Sequence, residues 1–508
     1  MDLSLQAIAV IAAAVPFIAA GVLLGVFSGA LPGFGGSNTL IILLPLTLYM
    51  EVNAALLLVV GLFVGVRFGG AIPAILINVP GTASGAATAV EGYPLYKQGH
   101  ANFALGVALL ASVLGTLFSG FIALAAAPII ADIALKFAAS EIFALTIFSI
   151  AMVGQIAGDD LVKGWFAGAA GLLIGSVGVD PMWGIERGTL GFVELYDGIP
   201  VIPALVGLYA ISEVMMIAEK ASTVSAEAPR YRNLSGGERS AEILRGCAYV
   251  IRRPIDIIRS MSIGSFIGAL PGAGANIASF LSYQQAVTFS RNHEDRGQFT
   301  KGNPRGIIAS EAADNACASG ALVPMMTLGI PGSASTAVML VLMTLHGLSV
   351  GPSLFTENAT TAYAILGALP VAACLLLVIG FASIFVTSRL VLVPINVLAP
   401  AIAVFGLAGA FAARYLLFDV FLALIFGLIG YVMRKEGFPP QAMLIGLILA
   451  SSVESSFFIG LREGFGSPLI FVQRPISLGI WMMLIASTLY IAYWKRRQAA
   501  QQKAERTE

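Results

Sequence analysis

Charge is scarce in this sequence. Only 11% of its 508 residues are Asp, Glu, Lys or Arg, against roughly a quarter in ordinary soluble domains, so the chain cannot supply the charged shell a soluble fold requires. Its 28 basic residues balance 28 acidic ones, which leaves no basic face for a nucleic acid partner. Cysteine and histidine are scarcer still. Cys247, Cys317 and Cys374 lie far apart without C-x-x-C or Cys/His spacing, and only His100, His293 and His346 offer imidazole. Zinc, haem and iron–sulfur centres are not expected from such a set. A Walker A sequence is also missing, so ATP hydrolysis by this chain is not expected. Neither Lys nor Arg precedes the first apolar stretch; that is a poor start for a cleavable signal, and the stretch is expected to belong to the mature chain.

What the sequence has in abundance is apolar length. Hydrophobic residues make up 58% of the chain and the mean hydropathy is +0.89. The charges cluster in a few loops, and the runs between them reach about 20 residues, the length a helix needs to cross roughly 30 Å of hydrocarbon. The expected fold is an all-α polytopic membrane protein of about 11 to 12 crossings. In the first half these fall near 54–90, 103–129, 139–157, 161–179 and 200–219; in the second, near 306–347, 361–386, 390–412, 415–432, 439–460 and 467–494. By the positive-inside rule the segment Lys220 to Arg259, the Arg434-Lys435 loop and the Lys495-Arg496-Arg497 tail are cytoplasmic, while the acidic loop Asp180 to Asp197 and the loop around Glu357 lie outside.

Residues 260–290 are apolar but interrupted by Pro271-Gly272, with basic loops on both sides, so neither arm is long enough to span; a re-entrant hairpin from the cytoplasm is expected. Residues 8–49, interrupted at Pro32-Gly33, read as a matching hairpin from outside, although residues 8–30 are long enough to span alone. Odd parity in the first half then turns the second half upside down. The expected organisation is a first repeat at 1–219, a cytoplasmic linker with an amphipathic helix at 220–259, a second repeat at 260–466, and a last helix with a basic tail at 467–508.

The strongest signal is an internal repeat. Gly29-Ala30-Leu31-Pro32-Gly33-Phe34-Gly35 recurs as Gly268-Ala269-Leu270-Pro271-Gly272-Ala273-Gly274. Pro73 followed by Val79-Pro80-Gly81-Thr82-Ala83-Ser84 recurs as Pro324 followed by Ile330-Pro331-Gly332-Ser333-Ala334-Ser335. Two such pairs with odd parity define inverted repeats, a plan common among secondary transporters. Proline removes a donor and glycine permits positive φ, so each Pro-Gly pair breaks a helix and exposes N–H groups on one side and carbonyls on the other. Beside the breaks stand small hydroxyl and amide side chains: Ser37, Asn38 and Thr39; Thr82 and Ser84; Asn276 and Ser279; Ser333, Ser335 and Thr336. These cap helices, and they also suit a carboxylate or a sodium ion.

Small residues in membrane helices more often mean close packing than ligand contact, so the candidate site rests on the set rather than on any single residue. It comprises Gly29, Pro32, Gly33, Gly35, Ser37, Asn38, Thr39, Pro80, Gly81, Thr82, Ser84, Gly268, Pro271, Gly272, Gly274, Asn276, Ser279, Asn315, Pro331, Gly332, Ser333 and Ser335, with the intramembrane cation Arg67 as a further candidate that equally suits a structural pair. Glu311 and Asp314 read as interfacial caps, with a coupling-ion role as the alternative, Glu454 as an interfacial residue or a contact to another helix, and Asp159-Asp160 and Asp419 as loop or helix-end charges. Residues 235–253 read as a solvated or membrane-surface amphipathic helix. A passive channel or scaffold subunit competes with the transporter reading. A membrane-embedded enzyme fits less well, for want of a nucleophile elbow or an intramembrane His/Asp array.

From about Gly21 to Arg474 the chain resembles the large permease subunits of tripartite tricarboxylate transporters, the TctA family. The residues that carry the resemblance are G-A-L-P-G-F-G-G at 29–36, G-G-A-I-P-A-I-L-I-N-V-P-G-T-A-S at 69–84, E-G-Y-P-L-Y-K-Q-G-H-A at 91–101, G-A-L-P-G-A-G-A-N at 268–276, and K-G-N-P-R-G-I-I-A-S-E-A-A-D-N-A at 301–316 running into G-I-P-G-S-A-S. Glu91 stands where the family commonly has Asp, in what reads as a cytoplasmic loop, and Arg67-Phe68 where tyrosines are commoner. The resemblance implies a bacterial inner-membrane complex with a small TctB-like membrane subunit and a periplasmic TctC-like binding protein, and leaves open a dimer of that heteromeric complex. It also implies uptake of citrate-like tricarboxylates or other carboxylates, with sodium or protons as coupling ion and no other cofactor.

Overall fold

A lipid-facing backbone must satisfy its own polar groups, and a sequence this apolar does so by folding into helices. The computed structural model describes residues 3–505 apart from 32–35, 83, 158–159, 181–183, 221–233, 271–273, 291–296 and 391–394. The first half contains α1 (Leu3–Gly29), α2 (Gly36–Thr47), α3 (Val52–Ile77), α4 (Gly85–Lys97), α5 (Ala101–Ala134), α6 (Ala139–Ala157) and α7 (Leu161–Gly175). A small antiparallel pair, Gly178–Val179 with Glu186–Arg187, precedes α8, whose middle turns Val206–Ile211 are π-helical between Val201–Leu205 and Ser212–Lys220. The second half follows as α9 (Gly236–Ile251), α10 (Pro254–Ala269), α11 (Gly274–Thr288), α12 (Pro304–Gly320), α13 (Leu322–Leu328) and α14 (Ala334–Leu345). It ends with α15 (Ala359–Leu390), α16 (Ile395–Arg414), α17 (Leu417–Lys435), α18 (Pro440–Glu463) and α19 (Pro475–Glu505). Among the described residues, 8 helices are long and apolar enough to cross a membrane, and four shorter apolar helices accompany them. The chain is an all-α polytopic membrane protein.

The sequence repeat is also a packing repeat. α1 lies along α3, and α10 lies along α12. A Cβ added at Gly25 would overlap the carbonyl oxygen of Leu62, and one added at Gly264 would overlap that of Ala313. One turn on, Gly29 meets the carbonyl of Val66 as Gly268 meets that of Cys317. Bare glycine lets each pair of backbones touch, and that closeness replaces the hydrophobic drive that lipid cannot provide. The two halves also interlock. α5 packs on α10 and α12 of the other half, while α15 packs on α1 and α3. Farther out α18 joins α6 and α7, with Gly171 on the carbonyl of Met443 and Gly446 on that of Gly168, whereas α8 joins α16 and α17, with Gly207 on Ala423 and Gly430 on Leu208.

Helix lengths separate the two expected hairpins. The 16 residues of α10 and 15 of α11 reach about 24 and 22 Å at 1.5 Å per residue, short of a ~30 Å core. The 27 residues of α1 reach about 40 Å, so α1 alone suffices for the crossing that the sequence left open. The amphipathic helix expected at 235–253 is α9, started by a Ser235/Glu238 capping box. It is not purely a surface element, because Gly246 sits against the backbone of Phe103 and Val107 on α5, and Gly106 against Ile243.

Candidate functional site

The second motif ends a helix in the same way in each half. α3 ends at Asn78 with φ 57°, and its counterpart α13 ends at Gly329 with φ 71°, left-handed positions that Asn and Gly occupy at least cost. The following N–H groups turn back to the carbonyls of the two prolines: Val79 to Pro73 at 3.3 Å and Ile330 to Pro324 at 3.4 Å. The chain then passes through Pro80-Gly81-Thr82 into α4, and through Pro331-Gly332-Ser333 into α14. Gly81 donates to the carbonyl of Gly70 at 3.2 Å, and a side chain there would strike the carbonyl of Gly29. The two breaks of the first half therefore touch.

The starts of α4 and α14 differ in one respect. Ser333 caps α14 in a capping box with Thr336. Ser84, at the start of α4, makes no side-chain cap bond; its hydroxyl lies 3.2 Å from that of Thr82.

The candidate residues of the two halves meet at several points. Ser37 on α2 and Ser335 on α14, from opposite halves, are joined Oγ to Oγ at 3.2 Å. Asn38 and Thr39 are buried beside Ser37. Ser279 on α11 is buried and donates to the carbonyls of Ala275 at 2.9 Å and Ser310 at 3.3 Å, and Ser310 meets Thr88 of α4 at 2.8 Å. Gly274 opens α11 at φ 66°, and Asn276 on its first turn is exposed. Pro331 and Gly332 are buried, Pro80 half-buried. Pro32, Gly33, Gly35, Pro271 and Gly272 lie outside the described residues. Beside the second-half break a cavity of about 420 Å³ opens between Leu328, Gly329, Thr344, Ser349 and Ser452, a mixture of backbone, hydroxyl and apolar surface.

Behind the breaks lies a charged cluster. Arg67 on α3 pairs with Asp314 on α12 at 3.0 Å, the two side chains being 10% and 4% exposed. Glu311 accepts from Thr88 Oγ1 at 2.5 Å and from Ser112 Oγ of α5 at 3.0 Å. Asn315 donates to the carbonyl of Glu311 at 3.0 Å, while its buried Oδ1 has no donor among the described residues. These positions correct the expectation that Glu311 and Asp314 are interfacial caps. α12 is capped by Asn303, whose side chain accepts from the Arg305 N–H at 3.1 Å, and the two acids sit about two and three turns farther in, buried. The Arg67 cation is thus held in an ion pair with the other half.

Glu91 is a second correction. It is not in a loop but within α4, fully buried, where it accepts from the Tyr283 hydroxyl at 2.6 Å and from the N–H groups of Thr300, Gly302 and Asn303 at 2.6, 2.9 and 2.8 Å. The E-G-Y-P segment of one half thereby holds the K-G-N-P segment of the other. Arg305 in that second segment makes two bonds to Asp256, at 2.8 and 2.9 Å. Toward the periphery Glu454 pairs with Arg187 of the loop before α8, and buried Asp419 at the start of α17 pairs with Arg414. Asp160 caps α7, and Asp159 lies outside the described residues.

Interlocked halves, each with a crossing broken at matching Pro-Gly positions, define a polytopic membrane protein whose polar groups are gathered inside. Comparison with known sequences narrows this: the model of the tripartite tricarboxylate transporter TctA family matches residues 15–445, and the chain belongs to that family. It is 31% identical over 464 residues, 91% of this chain and 89% of the other, to an uncharacterized 52.8 kDa protein in the TAR-I ttuC' 3' region of Agrobacterium vitis. A second uncharacterized protein, from the TAR-II ttuC' 3' region of the same organism, is 29% identical over 229 residues, covering 44% of this chain and 93% of its own length. No solved structure matches the chain.

Proposed function

We propose that this chain is the large membrane subunit of a binding-protein-dependent secondary transporter of the bacterial inner membrane, importing citrate-like tricarboxylates or other small carboxylates, driven by a sodium or proton gradient. Its two halves act as inverted repeats, with residues 1–219 and 260–466 as the moving units and 220–259 as the linker. Broken helices offer N–H groups and hydroxyls to the substrate carboxylates and carbonyls to a cation. The single observation that carries the reading is the Ser37–Ser335 contact, in which the first break of one half meets the second break of the other. Alternating access follows if the halves change their relation about that meeting point. A small TctB-like membrane subunit and a periplasmic TctC-like protein complete the assembly.

The test is uptake of radiolabelled citrate, and of a panel of di- and tricarboxylates, into proteoliposomes holding both membrane subunits, with the cognate binding protein outside. Saturable, gradient-dependent and binding-protein-dependent uptake supports the proposal. Flux that neither saturates nor needs a gradient indicates a channel. Uptake unchanged after Gly81→Ala, where the new methyl group strikes the Gly29 carbonyl, would detach the breaks from transport.

A further inference from the structure

Two carboxylates share one guanidinium in the packing of α3, α4, α5 and α12. Asp314 has Arg67; Glu311 has only hydroxyl donors. Exposures of 2% for Glu311, 3% for Asp314, 1% for Thr88 and 0% for Ser112 seal the cluster from bulk water. With both acids ionised it would hold one uncompensated negative charge, a state that a buried site strongly disfavours.

The surrounding elements supply no remedy. Arg67 is the only charged residue on α3, and α5 carries none before Asp132. On α4, Glu91 is occupied by Tyr283 of α11 and the 300–303 turn, and Lys97 lies at the far end over the Tyr93 ring. On α12 itself Arg305 is bonded to Asp256 of α10, which also holds Arg259; Cys317 is uncharged as a thiol. One unit of positive charge must therefore enter with Glu311.

The oxygen separations indicate its nature. Distances of 2.5 and 3.0 Å to Thr88 and Ser112 are those of hydrogen bonds, with protons between the oxygens. The chain continues from Thr88 to Ser310 at 2.8 Å and from Ser310 to the Ile307 carbonyl at 3.3 Å. Each hydroxyl can donate or accept. With Glu311 ionised the donors run Ser310 to Thr88 to Glu311; with Glu311 protonated they run the other way. The site accommodates both states by rotating two hydroxyls, and the donorless buried Oδ1 of Asn315, whose amide nitrogen is bonded to the carbonyl of Glu311, leaves a further acceptor on the same helix turn. In the other half the matching positions are Val60, Phe63 and Ala318, so the duplication did not bring this chemistry with it.

We infer that Glu311 is the carrier of the coupling proton. Its carboxylate takes a proton from hydronium, leaving water, when the site opens to one side, and returns it to water when the site opens to the other. Thr88 links this event to α4, the helix that follows the Pro80-Gly81 break. The inference rests on the transport reading and specifies its coupling ion.

The wild-type complex in sodium-free proteoliposomes containing a pH-sensitive dye provides the test, with radiolabelled citrate as probe and the carboxylate panel if citrate does not move. Proton entry is expected to accompany substrate entry, with accumulation rising about tenfold per imposed pH unit, each unit being worth about 1.4 kcal/mol. Glu311→Gln, which fixes the neutral form, is expected to abolish pH-driven accumulation and flatten the pH profile while citrate–citrate exchange remains measurable. If that variant fails to fold, Thr88→Val, which removes one arm of the relay, is expected to shift the pH profile, and the wild-type proton measurement still decides. Wild-type uptake driven by sodium without proton movement, or a Glu311→Gln variant that still accumulates substrate on a pH gradient, would overturn the inference and leave the transport reading standing. A wild-type complex that moves no carboxylate at all would overturn both.

Discussion

Replacing Glu91 by alanine removes the acceptor for four donors at once. Those donors differ in what they lose. Asn303 is buried, so its N–H has no water to turn to, and the Tyr283 hydroxyl is only partly accessible, whereas Thr300 is exposed and Gly302 half-buried. A buried donor left without a partner costs about 1–3 kcal/mol, so two that stay unsatisfied and two that rehydrate give a loss of about 3–5 kcal/mol for Glu91→Ala. Glu91→Asp keeps the charge and all four donors, and asks the 300–303 turn to follow by one methylene; its loss should be under about 1.5 kcal/mol, comparable to other volume changes that a site can absorb. Thermal unfolding of the purified protein in detergent should rank wild type and Glu91→Asp together, with Glu91→Ala lower by several degrees. Limited proteolysis at the 297–301 turn should quicken in the alanine variant alone. Equal unfolding temperatures for Glu91→Ala and wild type would refute the view that this carboxylate ties the halves together.

Other substitutions probe the rest of the architecture. Gly25→Ala and Gly264→Ala, each driving a methyl group into a facing carbonyl, should each destabilise by about 1–3 kcal/mol in the same thermal assay, while Gly236→Ala, with open space around it, should change nothing. Arg67→Gln strands Asp314 and should cost about 3–5 kcal/mol; adding Asp314→Asn should restore most of the thermal stability, and failure of that rescue would mean the pair is not the reason for the loss. A double-mutant cycle on Ser37→Ala and Ser335→Ala should return a coupling of about 0.5–1.5 kcal/mol in substrate binding, and a coupling of zero would separate their contact from the site.

The backbone was far more legible in the sequence than the interior chemistry. Pro-Gly pairs act locally, since a missing donor and a positive φ interrupt a helix wherever they occur, and the recurrence of Pro80-Gly81 as Pro331-Gly332 marked the broken helices. The apolar runs likewise located most of the long helices, because crossing a bilayer sets a length, although 306–347 holds three helices, α12 to α14, in place of one crossing. Buried acids follow no such local rule. Glu311 and Asp314 resemble the caps of a short amphipathic start, and only the arrival of Arg67, Thr88 and Ser112 from distant helices makes them interior groups. Glu91 was missed for the same reason: its acceptor role needs the turn at 300–303, some two hundred residues away in sequence. A hint was present, since E-G-Y-P and K-G-N-P were both distinctive and neither had an assigned role. The length of α1 shows where the apolar run left two answers, and a helix uninterrupted through Pro16 is long enough for the spanning one.

The two halves share a frame and differ in its contents. Gly25 and Gly264, Gly29 and Gly268, and Asn78 and Gly329 occupy equivalent places, so duplication has preserved the close helix approach and the left-handed break. On the transport reading, a frame repeated in this way opens either side of the membrane with similar local geometry, as alternating access requires. Direction and coupling require something unequal. The inequality lies in Arg67, Asp314 and Glu311, matched in the other repeat by Ala318, Phe63 and Val60, and in the start of α4, which Ser84 leaves uncapped and whose Thr88 meets Glu311, where the start of α14 is closed by the Ser333–Thr336 box. On the transport reading the second break of the first half is therefore the one that responds to charge, and the second break of the other half is the one that stays locked. Substitutions at the two helices test this: Thr88→Val, which parts α4 from Glu311, should weaken the dependence of uptake on pH, whereas Ser333→Ala should lower stability by about 1 kcal/mol, the usual loss for an N-cap, and leave the pH profile where it was.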